Sequence, residues 1–300
     1  MKLSAMRQLL AERGIQLTRS LGQNFLHDAH QLDRLIALAD IRPGDRVLEI
    51  GPGLGPLTEH LLAAGARVLA IEKDARLVSV LRERFPDAAT VPRDTGETSA
   101  PPDNGSTSRL SLVEADALAW LRRENRDWRG WKLVANLPYS VASPLLVDLT
   151  QPETGPDQIV VTLQLEVIHR LTAAPGSKDY GILTLLVQLG YEPTGSFKIS
   201  RSCFFPEPDV DSGGLALRRR PSPELSSSEA RVFRRIVKRA FSERRKKALK
   251  LLRFDWPTEV VTGAWSDLEL AEDLRAERVT RAQYIELARR LAPVDAQSRP

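Results

Sequence analysis

One stretch limits what this chain can fold into more than any other: Arg46–Glu72, RVLEIGPGLGPLTEHLLAAGARVLAIE. Val47, Leu48 and Ile50 form a short apolar run that predicts a buried strand. Gly51-Pro52-Gly53-Leu54-Gly55 predicts a tight turn, since glycine permits backbone angles and close approaches that other residues forbid. Leu57, Leu61 and Leu62 recur at helical spacing, Gly65 ends that helix, and Arg67–Glu72 is a second strand-like run closed by an acid. The result is a βαβ unit with a glycine loop after its first strand and a carboxylate at the tip of its second, which suits a nucleoside. The loop lets a ligand touch backbone, and the carboxylate accepts hydrogen bonds from two ribose hydroxyls. Gly-x-Gly-x-Gly is one residue short of the dinucleotide fingerprint Gly-x-Gly-x-x-Gly. On these residues alone an ordinary strand–helix turn, an NAD site and an S-adenosylmethionine site all stay open. The lack of a later pyrophosphate-facing glycine leans towards S-adenosylmethionine.

The 300 residues, 42% of them apolar, suffice for one large domain or two modest ones. A single cysteine, Cys203, forbids an intramolecular disulfide, fits a reducing cytoplasm, and reads as a packing residue. The N-terminal MKLSAMRQLLAERG has no apolar signal core and no run approaches membrane-spanning length, so a soluble cytoplasmic protein is expected. His27, His30, His60 and His169 show no metal-ligand spacing, and no metal is expected. The net charge of +4 conceals an asymmetry. Of 43 basic and 39 acidic residues, ten basic and one acidic fall in Arg231–Lys250, leaving 33 against 38 elsewhere. Positive charge so concentrated is a footprint for a polyanion such as RNA or DNA. Its bland alternative is a solvated basic face.

Taken in order, residues 3–13 predict a short helix ended by Gly14. Leu21-Gly22-Gln23-Asn24-Phe25-Leu26 reads as a helix-entry loop with two exposed-looking apolar residues, before the helical pattern Leu32, Leu35, Ile36, Leu38. After the βαβ unit come a helix over 75–85 and a stretch over 86–109, rich in Pro, Gly, Ser, Thr and Asp, which reads as a flexible surface insertion. Leu110–Val113 is a third strand. Asp116 beyond it is placed either to bond the adenine amine of a nucleoside or to cap the helix at 117–123, and the two are compatible. A fourth strand at 132–135 delivers Asn136-Leu137-Pro138-Tyr139, and a fifth covers 159–165. Helices follow, through Leu171 and over 180–190. Runs at 197–199 and 214–217 look like a closing antiparallel pair around Phe204-Phe205-Pro206-Glu207-Pro208-Asp209-Val210-Asp211-Ser212. The expected fold is α/β, a parallel doubly wound sheet of the Rossmann-like type with ligands at the strands' carboxyl ends, where Gly51, Glu72, Asp116 and Asn136 converge. Composition changes at RRRPSPELSSS. We therefore expect a catalytic domain over 1–219, a small all-helical RNA-binding domain over 220–292 and a disordered tail over 293–300. In the helical part Val232, Phe233, Ile236, Val237, Ala240 and Phe241 form an apolar stripe flanked by Arg231, Arg234, Arg235, Lys238 and Arg239.

Asn-Leu-Pro-Tyr at a strand end suits alkylation of a conjugated amine. The exocyclic nitrogen of adenine is a poor nucleophile because its lone pair is delocalised into the ring. An acceptor on Asn136 and a backbone carbonyl beside Pro138 can hold both amine hydrogens and turn that lone pair towards an electrophile. Proline fixes the turn and removes a competing N–H. Tyr139 offers a ring for the base to stack on, worth about 1–3 kcal/mol. A sulfonium methyl donor is already activated, so placement supplies most of the catalysis and no acid–base residue is needed. A base within a helix must first leave it. Phe204 stands open between a second stacking wall and an ordinary core aromatic.

LGQNFL, EIGPGLGPLT, Glu72, Asp116, NLPY, LQLEVIHRL with SKDYG, FFPEPDVDS and AFSERRKKAL occur in the order seen in the small-subunit rRNA adenine dimethyltransferases. From about Leu21 to Leu252 the chain resembles that family. The resemblance implies an S-adenosylmethionine-dependent enzyme that places two methyls on each of two adjacent adenosines near the 3′ end of 16S rRNA, during maturation of the 30S subunit. It implies Asn24 and Leu26 against the cofactor, Gly51 and Gly53 in its loop, Glu72 on the ribose, Asp116 on the adenine amine and Asn136 at the cofactor–substrate junction. Tyr139 and Phe204 match the family's aromatic positions around the target base, with Leu137 and Pro138 in the same catalytic turn; the concentrated charge makes Arg234, Arg235, Lys238, Arg239, Arg244, Arg245, Lys246 and Lys247 the expected RNA-binding residues. A monomer without metal is expected. The chain departs from the pattern in its long 86–109 stretch, in Leu165, in Ser140-Val141-Ala142, and in the acids Glu207 and Asp209. Competing readings are a 23S rRNA adenine methyltransferase of the erythromycin-resistance type and a non-catalytic assembly or transcription factor on the same fold. A dehydrogenase has the wrong glycine spacing, and DNA adenine methyltransferases usually carry a second proline where Leu137 stands.

Overall fold

The computed structural model describes residues 1–17, 23–91, 108–124, 126–243 and 245–297. Contacts divide the chain into two compact units, Met1–Ile168 with Glu192–Arg219, and His169–Tyr191 with Arg220–Pro300. The division differs from a continuous 1–219 segment, because residues 169–191 pack with the helices that follow Arg219.

The first unit is built on a sheet. The strands β1 (Phe25–Leu26), β2 (Arg46–Ile50), β3 (Arg67–Glu72), β4 (Ala89–Val91), β5 (Leu110–Glu114), β6 (Trp131–Asn136), β7 (Gln158–Gln164), β8 (Tyr191–Ile199), β9 (Phe204–Phe205) and β10 (Ser212–Arg219) follow in chain order. Eight of them form one sheet in the order β4-β5-β3-β2-β6-β7-β10-β8. From β4 to β7 all neighbours are parallel, and β10 lies antiparallel to β7. The central strands read as near-continuous apolar runs because helices cover both faces: Val47, Leu48, Val68, Ala70, Val134 and Val160 are at most 3% exposed. The helices α2 (Ala29–Leu38), α3 (Pro56–Ala63), α4 (Ala75–Arg84), α5 (Ala117–Glu124) and α6 (Ala142–Leu149) supply that cover, while α1 (Leu3–Glu12) packs in a cluster of its own. Their starts are fixed locally: Asp28 accepts from the Gln31 N–H and Asp74 from the Arg76 N–H, each satisfying a donor left over at a helix end.

Two expectations change here. The 86–109 stretch is not all surface insertion, since Ala89–Val91 pairs with β5 as the sheet's edge strand; residues 92–107 lie outside the described residues. Phe25 and Leu26 are not exposed but 6% and 1% accessible, because they pair antiparallel with Phe205 and Phe204 in a separate two-stranded ribbon. Alternation along that ribbon sends Leu26 and Phe204 into the main core with Leu32, Leu35 and Leu57. Phe25 and Phe205 join a smaller cluster with Met6, Leu10 and Leu54, which anchors α1.

The second unit is helical. After α7 (Leu165–Leu171), where the boundary falls, it comprises α8 (Ile182–Gln188), α9 (Ser227–Ala240), α10 (Ala248–Leu252), α11 (Thr258–Ser266) and α12 (Arg281–Gln297). Ser226 and Glu229 form a reciprocal capping box at the start of α9. Val232, Phe233, Ile236, Val237 and Ala240 from α9 meet Tyr284, Leu287, Ala288 and Leu291 from α12 in one core, each large side chain contributing about 1.5–3 kcal/mol. α12 runs on to Gln297 through most of the tail expected over 293–300, and residues 298–300 lie outside the described residues; Pro293 costs one backbone hydrogen bond without ending the helix.

Candidate active site

The parallel register brings the predicted residues to one rim. Ile50 pairs with Ile71, Glu72 with Glu114 and Asn136 with Thr162, so the strands β2, β3, β5 and β6 end side by side. Gly51, Gly53, Glu72, Asp116, Asn136 and Pro138 line a single cleft there. Of the Gln23–Leu26 segment, Gln23, Asn24 and Phe25 line it and Leu26 does not. The Leu26 side chain is a core group, which leaves its backbone as the part through which the expected cofactor contact would be made. Leu21 and Gly22 lie outside the described residues.

Two glycines of the loop are required by the protein itself. Gly53 has φ +60°, and a Cβ there would sit 2.4 Å from Cε1 of Phe25. Gly51 has φ +69°, and a Cβ there would touch the Pro138 ring at 3.4 Å. Any other residue at these positions is strained in the left-handed region, and at Gly53 it also collides. The loop thus packs against Phe25 and against the proline of the Asn-Leu-Pro-Tyr turn, joining three sequence motifs in one wall.

Glu72 is 7% exposed. Its Oε2 accepts from the Gly53 N–H at 3.1 Å and its Oε1 from the Asp74 N–H at 2.9 Å. Burial raises its pKa, and those backbone donors oppose the rise. The Lys73 N–H adds a third backbone donor to the carboxylate, which has about four lone-pair sites. Behind it, on β2, lies an acid that sequence reasoning passed over. Glu49 is 1% exposed and accepts from the Thr58 hydroxyl at 2.7 Å. Burial first, opposed by the Thr58 bond, with the Glu72 charge adding to the rise, brings its pKa to about 8. An acid inside an otherwise apolar strand was the signal that could have found it.

Asp116 has both expected roles open to it. Its Oδ1 accepts from the Ala119 N–H at 3.0 Å, capping α5, and Lys73 Nζ stands 3.0 Å from its Oδ2. The capping bond comes first among the causes that keep its carboxyl below the usual range. Its side chain is 41% exposed, so it remains reachable from the cleft.

Asn136 is held from two sides. Its Nδ2 donates to the Asn24 carbonyl at 2.7 Å, and the Thr162 hydroxyl donates to its Oδ1. A carbonyl can only accept, so the reversed amide would set oxygen against oxygen; this frame permits one orientation. The fully buried Thr162 was not singled out by sequence, since a threonine in a strand carries no signal beyond β propensity.

Around the turn the residues separate. Pro138 lines the cleft, while Leu137 is 1% exposed and its side chain belongs to the core. Tyr139 is half-buried, its hydroxyl 2.6 Å from Ser212 Oγ, and burial raises its pKa. Phe204 does not line the cleft. At 2% exposure it is the core aromatic of the two alternatives, turned inward by the ribbon's alternation. Cys203 packs half-buried beside it, its thiol pushed up by burial, which fits packing.

In the helical unit the basic residues do not behave alike. Arg239 Nη2 lies 2.5 Å from Asp255 Oδ1, and Arg235 donates to the Asp255 carbonyl at 3.0 Å while covering the Trp256 ring at 4.5 Å. These two arginines are paired within the unit while their side chains stay partly accessible. Arg234 is half-buried, whereas Lys238, Arg245, Lys246 and Lys247 are exposed; Arg244 lies outside the described residues.

The chain matches the family described as "Ribosomal RNA adenine dimethylase" over residues 14–293. It is 39% identical over 236 residues to the Ribosomal RNA small subunit methyltransferase A of Geobacter metallireducens, covering 78% of this chain and 79% of that protein. The protein of the same name from Lactiplantibacillus plantarum is 36% identical over 294 residues, covering 96% and 95%. Among solved structures, the 23S rRNA methyltransferase ErmE superposes with a TM-score of 0.63 at 26% identity, covering 89% of this chain and 99% of that one. A dimethyladenosine transferase from Plasmodium falciparum, with a TM-score of 0.67 at 24% identity over 88% and 95% of the two chains, shares the fold.

Proposed function

This chain belongs to the ribosomal RNA adenine dimethylase family, and on that premise we propose that it uses S-adenosylmethionine to dimethylate two adjacent adenosines near the 3′ end of 16S rRNA in the maturing 30S subunit. The observation that carries the reading is the Asn136 amide, fixed by Asn24 and Thr162 at the mouth of the cleft that also holds Glu72.

The donor set fits a nucleoside methyl donor. A buried carboxylate at the cleft wall, oriented by backbone N–H groups, suits ribose hydroxyls, and the exposed edge of Asp116 suits an exocyclic amine. When bound, S-adenosylmethionine supplies a methyl group already activated by its sulfonium. The chain's part is placement. Glu72 holds the ribose, and Gly51 and Gly53 keep the cleft wall thin. Asn136 Oδ1, with the lone pair Thr162 leaves free, accepts one amine hydrogen of the target adenine, and the backbone carbonyl beside Pro138 accepts the other. Both bonds hold the nitrogen lone pair out of conjugation and aimed into the cleft. On taking that methyl, as the donor's carbon–sulfur bond broke to leave a neutral thioether, the adenine nitrogen would pass its surplus proton to solvent. Tyr139 stacks on the base. Phe204, as placed here, is left out of that stack. The first unit is assigned the transfer and the second the rRNA contact, through Lys238, Arg245, Lys246, Lys247 and the neighbouring Arg244.

The test is methyl incorporation from labelled S-adenosylmethionine into unmethylated 30S subunits, with 50S subunits and naked 16S rRNA alongside. Dimethyladenosine in 30S alone is expected. Label in 23S rRNA would transfer the function to the erythromycin-resistance type, and tight 30S binding without any label would leave an assembly factor.

A further inference from the structure

Among the described residues two large apolar side chains are exposed, Val210 at 47% and Phe254 at 70%. Phe254 is the more exposed, and the helical fold around it does not need it. It follows α10, whose Ala248, Leu249, Leu251 and Leu252 are buried in the unit's core. Trp256, two residues further on, fills the next core position at 4% exposure.

What surrounds Phe254 is charged rather than apolar. Lys247, Lys250 and Phe254 follow an i, i+3, i+7 spacing, one side of α10 and the turn after it. With Leu249, Arg253 and Glu272 they line one concavity. Arg253 is held in place by a bond from Nη2 to the Thr262 hydroxyl at 3.2 Å. The nearby Asp255 carboxylate is taken by Arg235 and Arg239, which leaves Glu272 as the one acid among the lining residues.

We propose that this concavity is a nucleotide site, in which Phe254 stacks an unpaired base of single-stranded RNA while Lys247, Lys250 and Arg253 meet the flanking phosphates. A ring among cations suits this ligand because every base has a π-face and its backbone brings the opposite charge. A hydrophobic protein partner would leave three cations desolvated against apolar surface, which is costly. The site rests on the rRNA substrate proposed above and gives the helical unit a base contact in addition to its phosphate contacts.

The test uses the full chain with Phe254→Ala, Phe254→Leu and Phe254→Trp, and measures anisotropy of a labelled single-stranded oligouridylate at fixed salt. Alanine and leucine should each weaken binding about tenfold while tryptophan retains it, since stacking needs a ring. Incorporation of 5-bromouridine should give a photocrosslink at position 254. Unchanged affinity in the alanine and leucine variants overturns the site. So does a loss confined to assembled 30S subunits and absent on protein-free RNA, which would mark a ribosomal-protein dock. RNA affinity is read without methyl transfer, so the two proposals fail separately. A wild type inactive on every rRNA sinks the proposed reaction, and normal transfer with a silent Phe254 sinks only this site.

Discussion

In the cleft of the sheet unit nearly every polar group is committed before any ligand arrives, while on the helical unit most of the basic groups in the predicted segment face solvent. Glu72 is tied to two backbone N–H groups, Asn136 to Asn24 and Thr162, and Asp116 to the start of α5. Lys238, Arg245, Lys246 and Lys247 stand exposed; Arg235 is exposed but paired with Asp255, and Arg234 and Arg239 are half-buried. The difference follows from what each surface must do. Aiming a lone pair requires direction, and direction comes from hydrogen bonds that leave a side chain one orientation. Attracting a polyanion requires charge, and charge acts at a distance whichever way a lysine points.

Asn136→Ala tests the directed side most severely. It should lower the transfer rate by about a hundredfold to a thousandfold, as loss of a preorganised transition-state group does, with S-adenosylmethionine affinity by calorimetry within a few-fold. A fully active variant sinks the mechanism. Thr162→Val should give a smaller loss of about tenfold in kcat, recovered in Thr162→Ser, because valine keeps the shape and removes the bond.

Gly53→Ala asks whether the loop is tuned to the ligand or to the protein. The added methyl meets Phe25 and forces a positive φ, so a stability loss of about 1–3 kcal/mol is expected in denaturant titration without any ligand. Phe25→Ala in the same chain should recover the part due to collision. If stability holds and only ligand affinity falls, the packing account is wrong.

On the undirected side, Arg245→Glu, Lys246→Glu and Lys247→Glu together should weaken rRNA binding and flatten the plot of log K against log salt, by about 0.7–0.9 for each phosphate no longer neutralised. Arg239→Gln should leave that slope alone and cost little stability, its pair with Asp255 being partly exposed and screened by solvent. Equal slopes in the two variants would erase the distinction drawn between them.

The comparison also carries a pH dependence, on the side of the buried acids. Glu49 binds its proton up to about pH 8 in the folded chain and up to about pH 4.5 in the unfolded one. Between those values the native state holds more protons, so its stability falls as pH rises through the window. Glu49→Gln should flatten that fall in chemical denaturation between pH 5 and pH 8. Glu72, raised in the same direction, leaves a residual slope. A slope identical to that of the wild type would mean Glu49 is ionised in the fold.

The βαβ unit, the strand-end positions of Gly51, Glu72, Asp116 and Asn136, and the change to helices after Arg219 were all legible, because each rests on periodicity or on a residue type at a chain-local position. Strand β4 was not, since three residues within a polar stretch carry no pattern and gain their strand from β5 alone. The exposed-looking Phe25 and Leu26 became a ribbon only through residues some 180 positions away, and that pairing also turned Phe204 into the core. The grip of Thr162 on Asn136 likewise depends on β6 and β7 lying in register. The sequence alone determined the fold class and the chemical inventory of the site, because composition and spacing act along the chain. Only the tertiary structure decided which of those groups are held, which are buried and which stay free, because each of those depends on partners that the chain order does not bring together.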